Sequence, residues 1–338
     1  MLVRMNGDHR EGCAEMGAGI AGKRLYCIVN PLAGGGKCGA AWRQILPDLI
    51  KRQPDLFWEY TEGAGTAGRQ VREAVLQRGA EAVVVFGGDG SLHDVINGII
   101  RDDRLIRDDL ILAFHPAGSA CDLARTLYGK KHSALPDLLQ SGVIRRVDVG
   151  RCTFRGREDM PRVSYFLNSF DAGAGADTCV RVNAGAGRAK RWLRNGRLAF
   201  MLNAFCVLMG FSYTDAEIIA DEKGFSGRYI IIGVGNGRYI GGGMLLFPQA
   251  SLDDGWLDLL LIEERSRKDI LRLLPTVYRG GFFQACGVHA MKCKQVLLRT
   301  KRPIAIELDG EVPGYTEAQV HVLPRLLPLL FPAADLRA

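Results

Sequence analysis

The chain has 338 residues, 47% hydrophobic and 24% charged, with a mean hydropathy of +0.02. This excludes disorder and fibrous repeats, and it exceeds what one hydrophobic core usually serves, so two domains of roughly 100 to 200 residues are expected. Lys and Arg outnumber Asp and Glu by 44 to 37, a net charge of +7 that favours an anionic partner: nucleic acid, nucleotide phosphate or an acidic membrane surface. Nine scattered cysteines with no C-x-x-C pair exclude a disulfide framework and a zinc site, and predict a reduced, cytosolic chain.

Residues 1–22 read as a polar tail, because Arg4, Asp8, His9, Arg10, Glu11 and Glu15 interrupt any apolar run a signal peptide would need. From Leu25 to Gly150, short β-branched runs (25–29, 56–61, 82–87, 110–115) alternate with helical-period stretches near 37–50, 67–78, 91–101 and 119–128. That alternation predicts an α/β domain over 23–150 with a parallel sheet covered by helices. Residues 150–160 are polar, as a linker is. Beyond them, strand-like runs at 163–169, 228–235, 256–263, 295–300 and 304–308 are broken by Gly and Asp turns, with helical stretches near 188–210 and 267–283. A β-rich, sandwich-like domain over 151–330 is expected.

Three glycine loops each follow a predicted strand and open a helix. In the first, Asn30-Pro31-Leu32-Ala33-Gly34-Gly35-Gly36-Lys37, backbone N–H groups and a helix N-terminus make an anion site. Gly34-x-Gly36-x-x-Gly39 fits the dinucleotide fingerprint, with Glu59 twenty residues on, while a Walker A loop fails because Pro31 holds the first glycine's place and Cys38 the hydroxyl's. In the second, Gly87-Gly88-Asp89-Gly90-Ser91, the glycines admit a phosphate, Asp89 sits where a cation or a substrate hydroxyl needs a carboxylate, and Ser91 can cap the helix carrying Asp94 and Asn97. The third is Pro116-Ala117-Gly118-Ser119-Ala120. Three such loops at the carboxyl ends of parallel strands predict a nucleoside triphosphate.

NPLAGGGK, GGDGSLHDVINGI and PAGSACDLAR, followed by GVGNGRYIGGGMLLFPQASLDDGWLDLLLI (233–262) and IELDGE (306–311), resemble the catalytic domain shared by diacylglycerol, sphingosine and ceramide kinases, relatives of the NAD kinases. The resemblance covers about residues 23–330. It implies an NAD-kinase-like α/β domain, a β-rich sandwich-like lipid-binding domain, and a nucleotide in the cleft between them. It implies ATP and Mg2+ as cofactors and phosphoryl transfer to a primary hydroxyl of a long-chain lipid, a reaction that needs positioning and a base but no covalent nucleophile.

By the same resemblance, Asn30, Pro31, Ala33, Gly34, Gly35, Thr61, Gly87, Gly88, Gly90, Ser91, Asp94, Gly118 and Ser119 line the ATP site, with Arg191 and Arg197 reaching its phosphates. Ser251, Asp254 and the Trp256 carbonyl would hold magnesium, an all-oxygen set suited to a hard cation. Asp177 would meet the lipid head group. The proton acceptor is Asp309 or Glu311 of the DGE motif, or Asp89. His93 is expected at a helix start near the surface. Ser119, Ala120 and Cys121 depart from the usual bacterial Thr-Gly-Asn, which, with the His93-Asp94 pair, tilts the acceptor toward ceramide or a sphingoid base over diacylglycerol.

Residues 181–197 carry six basic groups and no acid, and lead into the apolar stretch 198–211. That stretch is shorter than the roughly 18 residues of a membrane span. The pair predicts a core helix with a solvated basic start, a segment lying on an anionic bilayer at the inner face of the membrane, or the wall of a lipid-tail pocket. The resemblance allows a homodimer. Nucleic acid is the least favoured partner, since no stacking aromatics interleave the basic cluster.

Overall fold

A computed structural model describes residues 19–20, 22–129, 134–156, 158–185, 213–278, 281 and 285–333. Its first half runs β1 (Leu25–Val29), α1 (Lys37–Arg52), β2 (Phe57–Tyr60), α2 (Ala67–Leu76), β3 (Ala82–Gly87), α3 (Asp89–Ile99), β4 (Ile100–Arg101), β5 (Arg104–Leu105), β6 (Ile111–Pro116), α4 (Asp122–Tyr128) and α5 (Leu135–Ser141). The second half runs β7 (Val143–Arg155), β8 (Pro161–Phe166), β9 (Ser169–Gly173), α6 (Ala174–Gly185), β10 (Thr214–Ala220), β11 (Lys223–Gly235), β12 (Leu257–Glu263), α7 (Arg267–Val277), β13 (Val288–Cys293), β14 (Gln295–Thr300), β15 (Ala305–Leu308) and β16 (Glu311–Phe331).

In the first domain, β2, β1, β3 and β6 lie side by side and parallel. The pleat divides each strand between two cores, as a strand's period of two requires. Tyr26, Ile28, Val83 and Val85 pack against α2 and α3, while Leu25, Cys27, Val84 and Phe86 face Trp42 and Leu49 of α1. Gly19 and Ile20, at the end of the segment read as a tail, hydrogen-bond Gly142 and Leu139, and Ile20 is buried. Where α2 and α3 cross, a Cβ on Gly98 would lie 2.3 Å from the Gly68 carbonyl, so only glycine lets these helices approach so closely.

The second domain closes on itself: β11 pairs β10 and β9, β10 pairs β14, β9 pairs β15, and β14 and β15 both pair β16. Phe166, Phe170, Ile218, Val234, Leu298, Ile306 and Val320 fill the interior. On β12, Leu259 and Leu261 enter this core, whereas Leu260 and Ile262 pack outward against Leu246, Phe247 and Ile270 of α7. The expected α/β domain and sandwich-like β domain are both present. The seven described cysteines are free.

Residues 150–155, read as linker, are instead the end of β7, with Cys152 and Phe154 buried in the second core. β7 and β16 pair antiparallel along almost their whole length, with register shifts at Tyr315/Ala318 and Leu323/Leu327. Between those shifts β16 belongs to the second domain. After the bend at Pro324–Leu326 it enters the first domain's sheet, where Leu329 pairs with Leu112 of β6 and Leu327 and Leu329 join the first core. A chain ending at Pro324 is therefore expected to lose the cooperative thermal transition of the first domain, not merely to shorten the second. A first-domain melt unchanged in that truncation, followed by circular dichroism, would contradict the shared strand.

Candidate active site

The three glycine loops meet at the carboxyl ends of β1, β3 and β6. Gly34, Gly35 and Gly36 all hold left-handed φ, at 61°, 71° and 89°, conformations that side chains disfavour. A Cβ on Gly34 would also strike the Ala117 carbonyl of the third loop at 2.6 Å. Successive N–H groups in such a turn, ahead of the uncapped N-terminus of α1, form a concave anion cradle. Asn30 ties the first loop to the second, its Nδ2 donating to Ser91 Oγ at 2.9 Å while its Oδ1 accepts the Leu32 N–H. Gly88 and Gly118 touch backbone to backbone, since a Cβ on Gly118 would lie 2.6 Å from Gly88 Cα. Pro31 and Ala33 shape the first turn, where the Pro31 carbonyl accepts the Gly39 N–H and Ala33 donates to Asn30. Thr61 follows β2 at the same sheet edge, its N–H on Val29. Ser119 is exposed on the third loop.

Several expected roles change. The α3 helix starts at Asp89, two residues earlier than predicted, with Gly88 as N-cap; Ser91 caps nothing and serves Asn30 instead. Asp94 points at α2, where its Oδ2 accepts the Ala67 N–H at 2.8 Å, so its hydrogen bond pins two helices together. Glu59, the acid of the dinucleotide fingerprint, is engaged by Tyr26, Arg78 and Gln70 and is not free for a ribose. His93 is buried rather than superficial. Its Nδ1 lies 3.5 Å from Asp309 Oδ2 and its Nε2 3.3 Å from Asn97 Nδ2.

Carboxylates from both domains converge beside the second loop. Asp309 and Gly310, with φ of 51° and 93°, form the two-residue turn between β15 and β16, the left-handed pair that Asp-Gly favours. The turn aims Asp309 at the β8–β9 connection, where it accepts N–H bonds from Leu167, Asn168 and Ser169 at 2.9, 2.8 and 3.0 Å. Glu311 reaches α3: a Cβ on Gly90 would come within 2.8 Å of its Oε1. Burial, with Asp94 nearby, raises the Glu311 carboxyl, against the pull of His93.

Asp89 differs from Asp309. Its Oδ2 accepts the Asp122 N–H at 3.2 Å, but its buried Oδ1 has no partner among the described residues. Burial, then the negative charges of Asp122 and Asp309, push its carboxyl up to about 7. Cys121 sits alongside with φ of 48°, a conformation that asparagine tolerates and other side chains resist, and its thiol accepts the Gly118 N–H at 3.2 Å. Burial and the Asp89 charge raise this thiol to about 12, so it stays protonated.

The structure adds residues the motifs did not single out. Asp122 bonds Arg125 and Gly242. Asp171 and Glu307 lie directly opposite each other on β9 and β15, both buried, both carboxyls raised chiefly by burial, that of Asp171 to about 7. The charge of Asp177, on the first turn of α6, adds to the rise at Asp171. An acid in a helix's first turn is ordinary, and only the partners of Asp122 mark it out.

The expected magnesium trio is brought together at the 251–256 turn. Ser251 Oγ donates to Asp253, Asp254 Oδ1 accepts the Trp256 N–H, and Asp254 Oδ2 accepts Lys292 Nζ at 2.7 Å. Lys292 also reaches Asp258 at 3.2 Å, so a cation held by this trio would have to displace an ammonium shared between two carboxylates. Arg191 and Arg197, with the stretch 198–211, lie outside the described residues.

A parallel α/β sheet whose glycine loops form an anion cradle, joined through a carboxylate cluster to a closed β domain, is the architecture of a nucleotide-dependent phosphotransferase of the NAD-kinase-like fold. Residues 24–152 match the family described as diacylglycerol kinase catalytic domain, and residues 171–331 match the YegS C-terminal NAD kinase beta sandwich-like domain. The chain belongs to the family of lipid kinases built from this pair. It is 27% identical over 312 residues to the diacylglycerol kinase of Bacillus subtilis, covering 92% of this chain and 97% of that one. It is 29% identical over 294 residues to a YegS-like lipid kinase of Xanthomonas oryzae pv. oryzae, covering 86% and 91%. Among solved structures, a diacylglycerol kinase from Bacillus anthracis superposes with a TM-score of 0.64 at 20% identity over 92% of this chain and 98% of that one. Yeast NADH kinase gives 0.51 at 9% identity, over 91% and 82%. At these identities both show the fold.

The raised Asp89 carboxyl has a consequence for stability. Its folded value near 7 stands above the ordinary 3.8, so the native state binds its proton more tightly than the unfolded chain does. The cost of ionising it grows as pH rises from about 4 to about 7 and is constant above. Asp89→Asn is expected to raise the melting temperature at pH 8, by an amount that shrinks on acidification and vanishes near pH 4. A pH-independent difference in melting temperature would show that the carboxyl is not perturbed.

Proposed function

We propose that this lipid kinase transfers the γ-phosphate of ATP to a primary hydroxyl of a long-chain lipid, with Asp89 accepting the hydroxyl proton. The observation that carries this reading is the unpartnered, buried Asp89 Oδ1 at the point where the three glycine loops converge. The N–H groups of Gly34–Gly36 and the N-termini of α1 and α3 would hold the phosphates. As the lipid oxygen bonds to the γ-phosphorus, the bond to the β-phosphate oxygen breaks and ADP leaves, while the hydroxyl proton passes to Asp89. A carboxyl titrating near 7 is matched to that task at neutral pH. Asp309, with both oxygens held by backbone N–H groups, is better suited to locking the β8–β9 turn against the site. Carboxylates at Asp89, Asp122, Asp309 and Glu311 would repel a bare triphosphate, which favours a nucleotide arriving with magnesium.

Diacylglycerol is the acceptor we favour. Three of the positions that tilt the sequence toward a sphingoid lipid have other duties here: Cys121 makes a left-handed turn, His93 is buried against Asp309, and Asp94 caps α2. A sphingoid base is the second reading, supported by Asp177, which stands where the resemblance places an acid for the lipid head group. No helix among the described residues is long and apolar enough to cross a membrane. We therefore take the basic residues of 181–197 to bring the chain onto an anionic bilayer, where its lipid acceptor resides.

The test is transfer of labelled γ-phosphate to diacylglycerol, ceramide, sphingosine and NAD, the lipids offered in vesicles with and without anionic lipid and with magnesium present. Diacylglycerol should be labelled, faster on anionic vesicles. Asp89→Asn should lower the rate by about 10²- to 10⁴-fold without loss of fold, whereas Asp309→Asn should show itself first as a lower melting temperature. Labelling of NAD alone, or an undiminished rate in Asp89→Asn, would sink the reading.

A further inference from the structure

Asp122 touches both domains at the reacting carboxylate. Its backbone N–H donates to Asp89 Oδ2 at 3.2 Å. Its side chain is buried, 7% exposed, with Oδ1 accepting Arg125 Nε at 3.1 Å and Oδ2 accepting the Gly242 N–H at 2.7 Å. Gly242 is the middle one of three consecutive left-handed glycines, with φ of 62°, 84° and 112° from Gly241 to Gly243, in the loop that leaves β11 of the second domain. One turn further along α4, Thr126 Oγ1 accepts the Arg238 N–H of the same loop at 3.0 Å, and a Cβ on Gly243 would sit 3.4 Å from Arg125 Nε. The α4 helix and the 236–243 loop are thus stitched at two points, and the buried one is centred on Asp122.

We propose that Asp122 is a positioning residue: it clamps the 241–243 loop of the second domain to α4 while its N–H fixes Asp89, so that docking of the second domain and the state of the reacting carboxylate are coupled. With both oxygens engaged, Asp122 is not free to touch a substrate, and it acts through Asp89. The groups facing Asp89 are Asp122 and Cys121 beside it and Asp309 from the β15–β16 turn, with backbone N–H groups of Asp122 and Leu123. Among these, the charge of Asp122 does most, after burial, to keep the proton on Asp89. Arg125 in turn offsets the Asp122 charge. Removing either partner should therefore move Asp89 in opposite directions, a signature that loss of a merely structural contact does not give.

The catalytic meaning of this coupling rests on the reading of Asp89 as the base, but its test does not. Protein carrying 13C-carboxyl aspartate is titrated without nucleotide or lipid, and the Asp89 resonance is identified by its disappearance in Asp89→Asn. In Asp122→Asn the Asp89 midpoint should fall by about one pH unit or more; in Arg125→Met it should rise. Wherever lipid phosphorylation is measurable, the acid limb of kcat should follow the same shifts, with KM for ATP changed less than kcat. Should Asp122→Asn fail to fold, Arg125→Met carries the test by itself. A midpoint unmoved in the folded variants overturns the coupling whether or not the chain phosphorylates a lipid, and absence of kinase activity with shifted midpoints overturns only the reading of Asp89 as a base.

Discussion

The site depends on one strand being shared. Because β16 begins at the Asp309-Gly310 turn, crosses the second domain and ends inside the first domain's sheet, the carboxylates of the DGE motif cannot drift away from the α3 helix they face. The three N–H groups that hold Asp309 come from the β8–β9 turn, and β8 is itself paired along β7, the other strand that runs through both domains. Buried like charges repel and lose their hydration, at a cost that only a rigid surround can impose. Here the surround is the sheet itself.

Within that frame the two halves contribute differently. The first domain supplies geometry: glycines whose left-handed backbone no other residue adopts readily, and loops so close that Gly34 and Gly118 leave no room for a side chain. The second domain adds the charge of Asp309, which joins burial and the charge of Asp122 in raising the Asp89 carboxyl. Neither half alone contains both the phosphate cradle and the full set of acids that tunes the base beside it.

Much of this is legible in the sequence, and the failures have physical causes. Strands β1, β3 and β6 announce themselves as unbroken apolar runs because both of their faces are buried, and the Asp-Gly at 309–310 announces a hairpin. β16 is hidden because Pro313, Gly314, Pro324 and Pro328 punctuate it, yet none of them ends it, and Pro313 and Pro324 fall at its register shifts. β7 is hidden by Arg145, Arg146, Arg151 and Arg155, whose charges interrupt the buried run that includes Val147, Val149, Cys152 and Phe154. The glycine loops and Asp89 stand out by motif. Asp122 and the Asp171–Glu307 pair do not, since their importance lies in partners far away in the chain: Gly242 for the first, and a neighbouring strand for the others.

The β7–β16 ribbon also bears on how the cleft can move. Two domains joined by a single flexible linker swing apart about a hinge, but here the connection is a pair of hydrogen-bonded strands, stiff against bending in the sheet plane and soft mainly in torsion. Opening would therefore be a twist of the ribbon about its own length, shearing the 241–243 loop across α4 instead of lifting it away.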